Sequence, residues 1–204
     1  MQSCEAIINP TKRSRNTHME REKKYKIDKL RKKNLQKLGN PLPMKQYYLD
    51  LNNELVRSAI RYFHGMAVYM GATEAQVRTI SGRYHYFIVK GKGLNQNFES
   101  EKMINDGTAE NLIENGSIGM VKKDRYTYRQ GMEIIGVDNY RDRNLVVAEI
   151  KYDGEVYTDQ DIDEELGRVI HIIDPNAVIT DVTEDDAYKS INLAIKKEDE
   201  IVSE

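Results

Sequence analysis

Apolar residues recur at helical spacing over residues 44–70. They form two adjacent rows, Tyr48, Leu51, Leu55, Ala59, Tyr62 and Met66 in one, and Val56, Ile60, Phe63, Ala67 and Met70 in the other. Such rows predict a long helix with a wide apolar face. Gly71 suits the end of that helix, and Thr73 followed by Gln76 matches a capping box that opens a second helix. We therefore expect a helical hairpin segment over residues 40–82.

Short runs rich in β-branched and aromatic residues follow the predicted hairpin. These runs predict strands at 83–90, 117–122, 132–138, 145–152 and 177–182. The segments between and after them are predicted to form helices at 99–115, 159–173 and 184–195. The succession of strand, helix and strand over 145–182 favours a parallel pair with a right-handed crossover. Residues 83–195 are thus expected to form an α+β core, a mixed sheet of four to five strands with packed helices in an αβββαβ-like order.

The two ends of the chain lack a clear hydrophobic period. Residues 1–39 are expected to form a flexible basic arm, because the few apolar residues of 20–38 are too loosely spaced for an apolar face. The glycine and prolines that follow mark a linker to the hairpin. Residues 196–204 are expected to form a frayed acidic tail.

Charge is distributed unevenly along the 204 residues. Only 39% of the residues are hydrophobic and 31% are charged, yet the formal net charge is −2. Residues 1–39 carry twelve Lys and Arg against four Asp and Glu, whereas residues 153–204 carry four against sixteen. The whole-chain charge is therefore a poor guide to partners, and a basic start with an acidic end favours self-association or an interaction tail.

Composition also bears on the compartment. One cysteine, Cys4, excludes an internal disulfide and a thiolate metal cluster. No run of about 18 apolar residues is present, and the first residues lack a signal-peptide pattern. We expect a cytoplasmic or otherwise intracellular protein without membrane association.

Candidate chemistry lies on two predicted neighbouring strands. Asp138 ends one strand, and Glu149 and Lys151 lie on the next. Alternation places Glu149 and Lys151 on the same face, beside Asp138. Two carboxylates there could hold a divalent cation, and the ammonium could stabilise a pentavalent phosphate. The competing interpretation is a solvent-facing strand with ordinary ion pairs.

This pattern resembles the core of restriction-endonuclease-like nucleases of the PD-(D/E)XK type. The resemblance covers residues 99–182, with Asp138 followed by Glu149-Ile150-Lys151. It implies a Mg²⁺-dependent phosphodiesterase with Asp138 and Glu149 as metal ligands, Lys151 as a catalytic residue and Glu110 as a further acidic contributor. Val137 replaces the proline of that family's pattern.

The basic arm is the main candidate for contacts with partners. Its cations could bind nucleic-acid phosphates or an acidic protein surface. The residues concerned are Lys12, Arg13, Arg15, Arg21, Lys23, Lys24, Arg31, Lys32 and Lys33. The favoured interpretation is a non-enzymatic assembly protein without a cofactor, a homo-oligomer or a subunit of a larger particle such as a virion. A metal-dependent nuclease is the alternative, and a small-ligand-binding regulatory domain is a third possibility.

Overall fold

The computed structural model of the protein describes residues 20–92, 97–130 and 133–196. Its strands are β1 (Glu20–Asp28), β2 (Leu42–Leu49), β3 (Ala72–Ile80), β4 (Tyr84–Lys92), β5 (Asn97–Ile104), β6 (Ser117–Gln130), β7 (Glu133–Tyr140), β8 (Val146–Asp153), β9 (Val178–Asp181) and β10 (Ile195–Lys196). Nine strands form one sheet in the order β5-β4-β3-β2-β6-β7-β8-β1-β9, and β10 pairs with β6. Every described pair is antiparallel, so the chain forms an α+β fold around a single antiparallel sheet.

Helices connect the strands and cover one face of the sheet, which we call the outer face. They are α1 (Glu54–His64), α2 (Met66–Gly71), α3 (Asp106–Gly116) and α4 (Asp159–Ile173), with 3₁₀ turns at Lys32–Leu38 and Asp186–Tyr188. The Asn53 side chain caps α1 by accepting from two backbone N–H groups, and Thr158 and Asp161 form a capping box on α4. None of the helices in the described part of the chain has the length and apolar composition needed to cross a bilayer.

Two apolar cores lie on the outer face. The first lies between α4 and the strands β1, β6, β7 and β8, and includes Tyr25, Val137, Ala148 and Leu166. The second lies between α1, α3 and the strands β2, β3 and β4. Alternation along each strand then directs the intervening side chains to the opposite face of the sheet, which we call the inner face.

A third apolar cluster closes one end of the inner face. Its members on the strands are Tyr48, Val121, Tyr140 and Val147. The chain between residues 188 and 194 packs against them through Tyr188, Leu193 and Ala194. The Tyr140 hydroxyl also lies 3.2 Å from the Ser190 hydroxyl. We call these strand residues the apolar plug.

The expected mixed sheet of four to five strands is wrong. The strands of the 145–182 unit, β8 and β9, do not pair with each other, because β1 lies between them and is antiparallel to both. The crossover through α4 is present, but it spans a strand that comes from the other end of the chain. The predicted αβββαβ-like order therefore describes only a part of a larger antiparallel sheet.

The predicted helical hairpin is also wrong in its outer parts. Residues 42–49 form β2 and residues 72–80 form β3, and only the stretch between them is helical. Residues 97–104 form β5 instead of opening the helix predicted at 99–115. The 184–195 segment contains a 3₁₀ turn rather than a long helix.

The expectation of a flexible arm over residues 1–39 is wrong for residues 20–39. Residues 20–28 form β1 within the sheet, and the Leu35 side chain of the following 3₁₀ turn is fully buried. Tyr25 and Ile27 are buried as well, which supplies the apolar anchors that the loose spacing concealed. Residues 1–19 and 197–204 lie outside the described residues.

Candidate functional site

The inner face is charged on the strands β6, β7, β8 and β1. Strand register aligns Arg125 with Asp138, Gly136 with Glu149, and Glu149 with Lys24. Directly paired residues of neighbouring strands project to the same face of a sheet. The backbone thus places these side chains on one surface, opposite the core beneath α4.

The same face continues with polar and charged residues on β2 to β5. Gln46 pairs with Arg78 in register, Glu74 pairs with Lys90, and Lys90 pairs with Glu99. The buried amides of Gln46 and Gln76 also meet, since Gln46 Nε2 donates to Gln76 Oε1 over 2.7 Å. Amide and charged side chains therefore occur on the inner face of the strands from β2 to β5 as well.

The sheet is curled so strongly that side chains from distant strands of its inner face contact one another. Lys151 Nζ on β8 lies 3.5 Å from Glu99 Oε2 on β5, although five strands separate β8 from β5 in the sheet. Burial raises the pKa of Glu74 on β3, and Lys24 on β1 is among the cations that oppose this shift. Charges on distant strands thus act on one another across the concave inner face of the curled sheet, and we call the space between these strands the tunnel.

A buried carboxylate on the inner face is held by two cations. Asp138 is buried and accepts from Lys123 Nζ at 2.7 Å and from Arg125 Nε and Nη2 at 2.6 Å each. Arg125 Nη2 also donates to Glu149 Oε2 over 2.9 Å. Lys24 Nζ then lies 3.3 Å from Glu149 Oε1 and 2.8 Å from Glu22 Oε1. These contacts form one continuous chain of opposite charges across three neighbouring strand pairs.

The ionisation of these groups follows from burial and from their neighbours. Burial alone would raise the pKa of the Asp138 carboxyl, but Lys123 and Arg125 outweigh it and the pKa is lowered. Burial likewise opposes the charge of Glu149, and Arg125, Lys123 and Lys24 hold its pKa well below the usual range. Burial dominates at Lys123, whose pKa is lowered despite the attraction of Asp138. Both carboxylates are therefore ionised at neutral pH.

The charged residues at mid-height of the tunnel make up what we call the charged layer. Its cations are Lys24, Arg78, Lys90, Lys123, Arg125 and Lys151, and its carboxylates are Glu22, Glu74, Glu99, Glu101, Asp138 and Glu149. The two sets balance, so the layer offers both phosphate-binding cations and cation-binding oxygens. Within the described residues, no three His, Cys, Asp or Glu side chains converge as a ready metal site.

The structure brings together three of the four residues named for catalysis from the sequence. Asp138 and Glu149 share the Arg125 guanidinium, and Lys151 lies on the same inner face. A nuclease would hold a metal between the two carboxylates, but here a guanidinium occupies that position. Glu110 is exposed on α3, which packs against the outer face.

The residues named for partner binding have several different environments. Lys24 lies in the charged layer, whereas Lys23 forms ion pairs with Asp163 and Asp181 on the outer side of β1. The other described residues of this set contact the following groups: Arg21 with Asp159, Arg31 with Asp174, and Lys32 with the Arg143 carbonyl. Lys33 is exposed on the 3₁₀ turn. Lys12, Arg13 and Arg15 lie outside the described residues.

Sequence reasoning missed most of the charged layer. Glu22, Arg78, Lys90, Lys123 and Arg125 were not among the named site residues. The available signal was strict alternation, as in β3, where Glu74, Gln76 and Arg78 alternate with the buried Ala75, Val77 and Thr79. Such a strand has its polar residues inside the tunnel and its apolar residues under the helices.

Comparison with known proteins gives distant structural similarity. No protein-family model matches the chain, and no curated protein matches its sequence. Among solved structures, the inorganic triphosphatase NE1496 superposes with a TM-score of 0.47 and 19% identity, covering 87% of this chain and 96% of its own. A candidate adenylate cyclase from Bacillus halodurans gives 0.43 and 12%, covering 80% and 92%. PH1012 from Pyrococcus horikoshii gives 0.44 and 14%, covering 76% and 89%.

These findings correct the functional expectations. The resemblance to PD-(D/E)XK nucleases is wrong, because the sheet is antiparallel throughout its described pairs and the central carboxylates are neutralised by Lys123 and Arg125. The expectation of a non-enzymatic assembly protein, as in a virion or mobile element, is also wrong. Residues 20–28 of the supposed arm form the strand β1 within the sheet, and its Lys24 side chain belongs to the charged layer. Homo-oligomerisation and binding of nucleic acid stay predictions.

Proposed function

We propose that the tunnel binds a triphosphate together with Mg²⁺ and that the protein is a phosphohydrolase that cleaves a phosphoanhydride bond. One observation carries the proposal: six cations and six carboxylates from seven strands face one another inside the curled sheet. Phosphoryl transfer depends on positioning and on stabilising negative charge, which such a preorganised set of donors provides.

The shape of the tunnel favours a linear polyphosphate. Cations project from strands on opposite walls, and Lys151 and Glu99 approach within 3.5 Å across the lumen. A duplex nucleic acid is too broad for such a lumen, whereas a triphosphate can place each phosphate against a different cation. Arg125 is suited to a phosphate because its planar fork donates two parallel hydrogen bonds.

The balance of charges favours a metal–triphosphate complex over the bare anion. A triphosphate alone would be repelled by the carboxylates of the charged layer, while bound Mg²⁺ would neutralise part of its charge. Mg²⁺ is commonly held by one or two carboxylates together with substrate phosphates. Glu22 and Glu149 fit this role, since both carboxylates already converge on the Lys24 ammonium. The ion would act as a Lewis acid that polarises a phosphoryl oxygen.

The chain's own residues would act through exchange of partners. Lys123 and Arg125 both donate to Asp138 on the inner face, where the Lys123 side chain is buried and the Arg125 side chain is partly exposed. A phosphoryl group that reaches these two side chains would accept hydrogen bonds from the N–H groups that donate to Asp138 and Glu149 in this structure. The fork of Arg125 would then stabilise the charge that develops as the terminal phosphoryl group passes to water and the remaining diphosphate leaves, and Asp138 would keep both cations in position.

An assay of phosphate release tests this proposal. We expect Mg²⁺-dependent release of orthophosphate from tripolyphosphate or from a nucleoside triphosphate. Arg125→Lys keeps the charge but loses the fork, and we expect kcat/KM to fall by about 100-fold. Arg57→Lys on the exposed side of α1, where Arg57 forms an ion pair with Glu54, is the matched control and should retain full activity. Absence of phosphate release from both substrates at all Mg²⁺ concentrations would refute the proposal.

We also propose an intracellular location. The single cysteine is Cys4, so the fold uses no internal disulfide. Soluble triphosphates are abundant inside cells, which agrees with the proposed substrate.

A further inference from the structure

Large apolar side chains are exposed on the inner face at one end of the tunnel. Tyr84 is 54% exposed, Met103 is 64%, Ile134 is 41% and Leu42 is 38%. Exposed apolar groups that lie close together on a folded protein commonly mark a binding surface. Their position relative to the charged layer decides what they can bind.

Strand register places these residues next to the charged layer. Leu42 pairs directly with Arg125, and Ile134 pairs directly with Lys151. Tyr84 pairs with Ile80, which pairs in turn with Met44, the neighbour of Lys123. Met103 pairs with Tyr86, two positions from Tyr84 on the same face. We call Leu42, Ile80, Tyr84, Met103 and Ile134 the apolar rim.

The inner face therefore has three successive layers. Strand β7 shows them in order, from Tyr140 in the apolar plug, through Asp138 in the charged layer, to Ile134 in the apolar rim. Strand β2 repeats the order with Tyr48, the amide of Gln46, and Leu42. The plug is covered by residues 188–194, so the rim stands at the opposite end, where its side chains are accessible.

We infer that the substrate of the proposed phosphohydrolase is an organic triphosphate with a planar base, a nucleoside triphosphate, rather than inorganic triphosphate. This inference rests on the proposed function. The charged layer would take the triphosphate, and the organic part would extend toward the rim. A Tyr ring offers a flat apolar face for stacking on a base, and a flexible Met side chain adapts to its shape. Inorganic triphosphate has charged groups at both ends and gains nothing from Leu42, Tyr84 or Met103.

Two of the rim residues are suited to substitution. Tyr84 and Met103 lie near the ends of β4 and β5, and both side chains are more than half exposed, so truncation leaves the buried cores intact. Tyr62 on α1 is 82% exposed and belongs to neither the charged layer nor the rim, which makes it a matched control for Tyr84.

The test compares kcat/KM for ATP and for inorganic tripolyphosphate at saturating Mg²⁺. We expect the wild-type protein to prefer ATP. Tyr84→Ala combined with Met103→Ala should reduce kcat/KM for ATP about tenfold and leave the value for tripolyphosphate unchanged. The expected size follows from the stacking of one base on an aromatic side chain, whose loss has about this effect. Tyr62→Ala should behave as the wild type with both substrates.

The outcomes separate this inference from the proposed function. Equal kcat/KM for the two substrates in the wild-type protein, or an equal loss for both in the rim variants, would overturn the inference and leave the phosphohydrolase proposal in place. If neither ATP nor tripolyphosphate is hydrolysed or bound, the proposed function fails and the inference fails with it.

Discussion

Lys151 Nζ on β8 and Glu99 Oε2 on β5 lie 3.5 Å apart, although five strands separate β8 from β5 in the sheet. Only a sheet that curls through most of a circle can bring these two side chains together. Because Lys90 and Arg78 also act on Glu99, the contact is part of a larger set of charges inside the tunnel. The charged layer therefore lines the concave side of the curled sheet, and its residues resemble ordinary surface residues in the sequence.

Asp138→Asn should lower the free energy of unfolding by about 3–5 kcal/mol. The substitution leaves Lys123 buried and Arg125 partly buried without their shared negative partner, and an uncompensated buried charge is expensive. Urea or guanidinium unfolding at neutral pH measures the change.

Asp124→Asn is the control for that experiment. Asp124 lies on the same strand as Lys123 but pairs with the exposed Arg141, and such surface pairs contribute at most about 1 kcal/mol. A similar loss of stability in both variants would show that Asp138 is not buried among the tunnel cations.

Stability should fall as the pH is lowered below about 4 to 5. Asp138 and Glu149 have lowered pKa values in the folded protein, so their contribution is present above the unfolded pKa and is lost as the pH falls through the folded pKa. Glu149→Gln removes one of these groups and should flatten the pH dependence. Unfolding free energies measured between pH 7 and pH 3 test this, and identical slopes for the two proteins would contradict it.

Replacement of two different glycines by alanine should change the stability of the protein in opposite directions. A Cβ at Gly91 would overlap the carbonyl oxygen of Gly71, where the end of α2 lies against β4. Gly91→Ala should therefore destabilise the fold by more than about 2 kcal/mol, since overpacking against backbone cannot be relieved by a rotamer change. Gly167→Ala lies within α4 with open space around it and should stabilise the protein by about 0.5–1 kcal/mol. Thermal unfolding of the two variants decides whether α2 approaches β4 as described.

Removal of residues 1–28 should abolish folding. Strand β1 pairs with both β8 and β9 and contributes the buried Tyr25 and Ile27, together with Lys24 in the charged layer. A chain that begins at Met19 keeps β1 and should remain folded. Circular dichroism of the two shortened chains tests this, and a folded protein without residues 20–28 would contradict the position of β1 in the sheet.

The sequence predicts the apolar elements well. Helix α4 spans Asp159–Ile173, the range predicted from one stripe of Ile, Leu and Val, and β7 and β8 lie within two residues of their predicted bounds. In these elements the apolar period agrees with the secondary structure, because one side of each packs against a core and the pattern has no competing explanation.

The strands that line the tunnel are the ones that sequence patterns conceal. In β1, Glu22, Lys24 and Lys26 face inward while Tyr25 and Ile27 face the core, so the segment has the composition of a solvated basic arm. The usual rule that charges face solvent fails here, since the charges stabilise one another inside a curled sheet. The closing of that sheet depends on pairings between distant parts of the chain, which no local pattern contains.

Calorimetric titration with a non-hydrolysable triphosphate analogue and Mg²⁺ tests the central claim most directly. We expect the wild-type protein to bind the complex at one site, with binding that weakens as salt is added. Lys151→Gln in the charged layer should weaken binding at least about tenfold through loss of one close charge–charge contact. Lys32→Gln, on the exposed 3₁₀ turn, should leave the Kd unchanged. Absence of binding to the wild-type protein, or equal Kd values for both variants, would contradict a triphosphate site inside the tunnel.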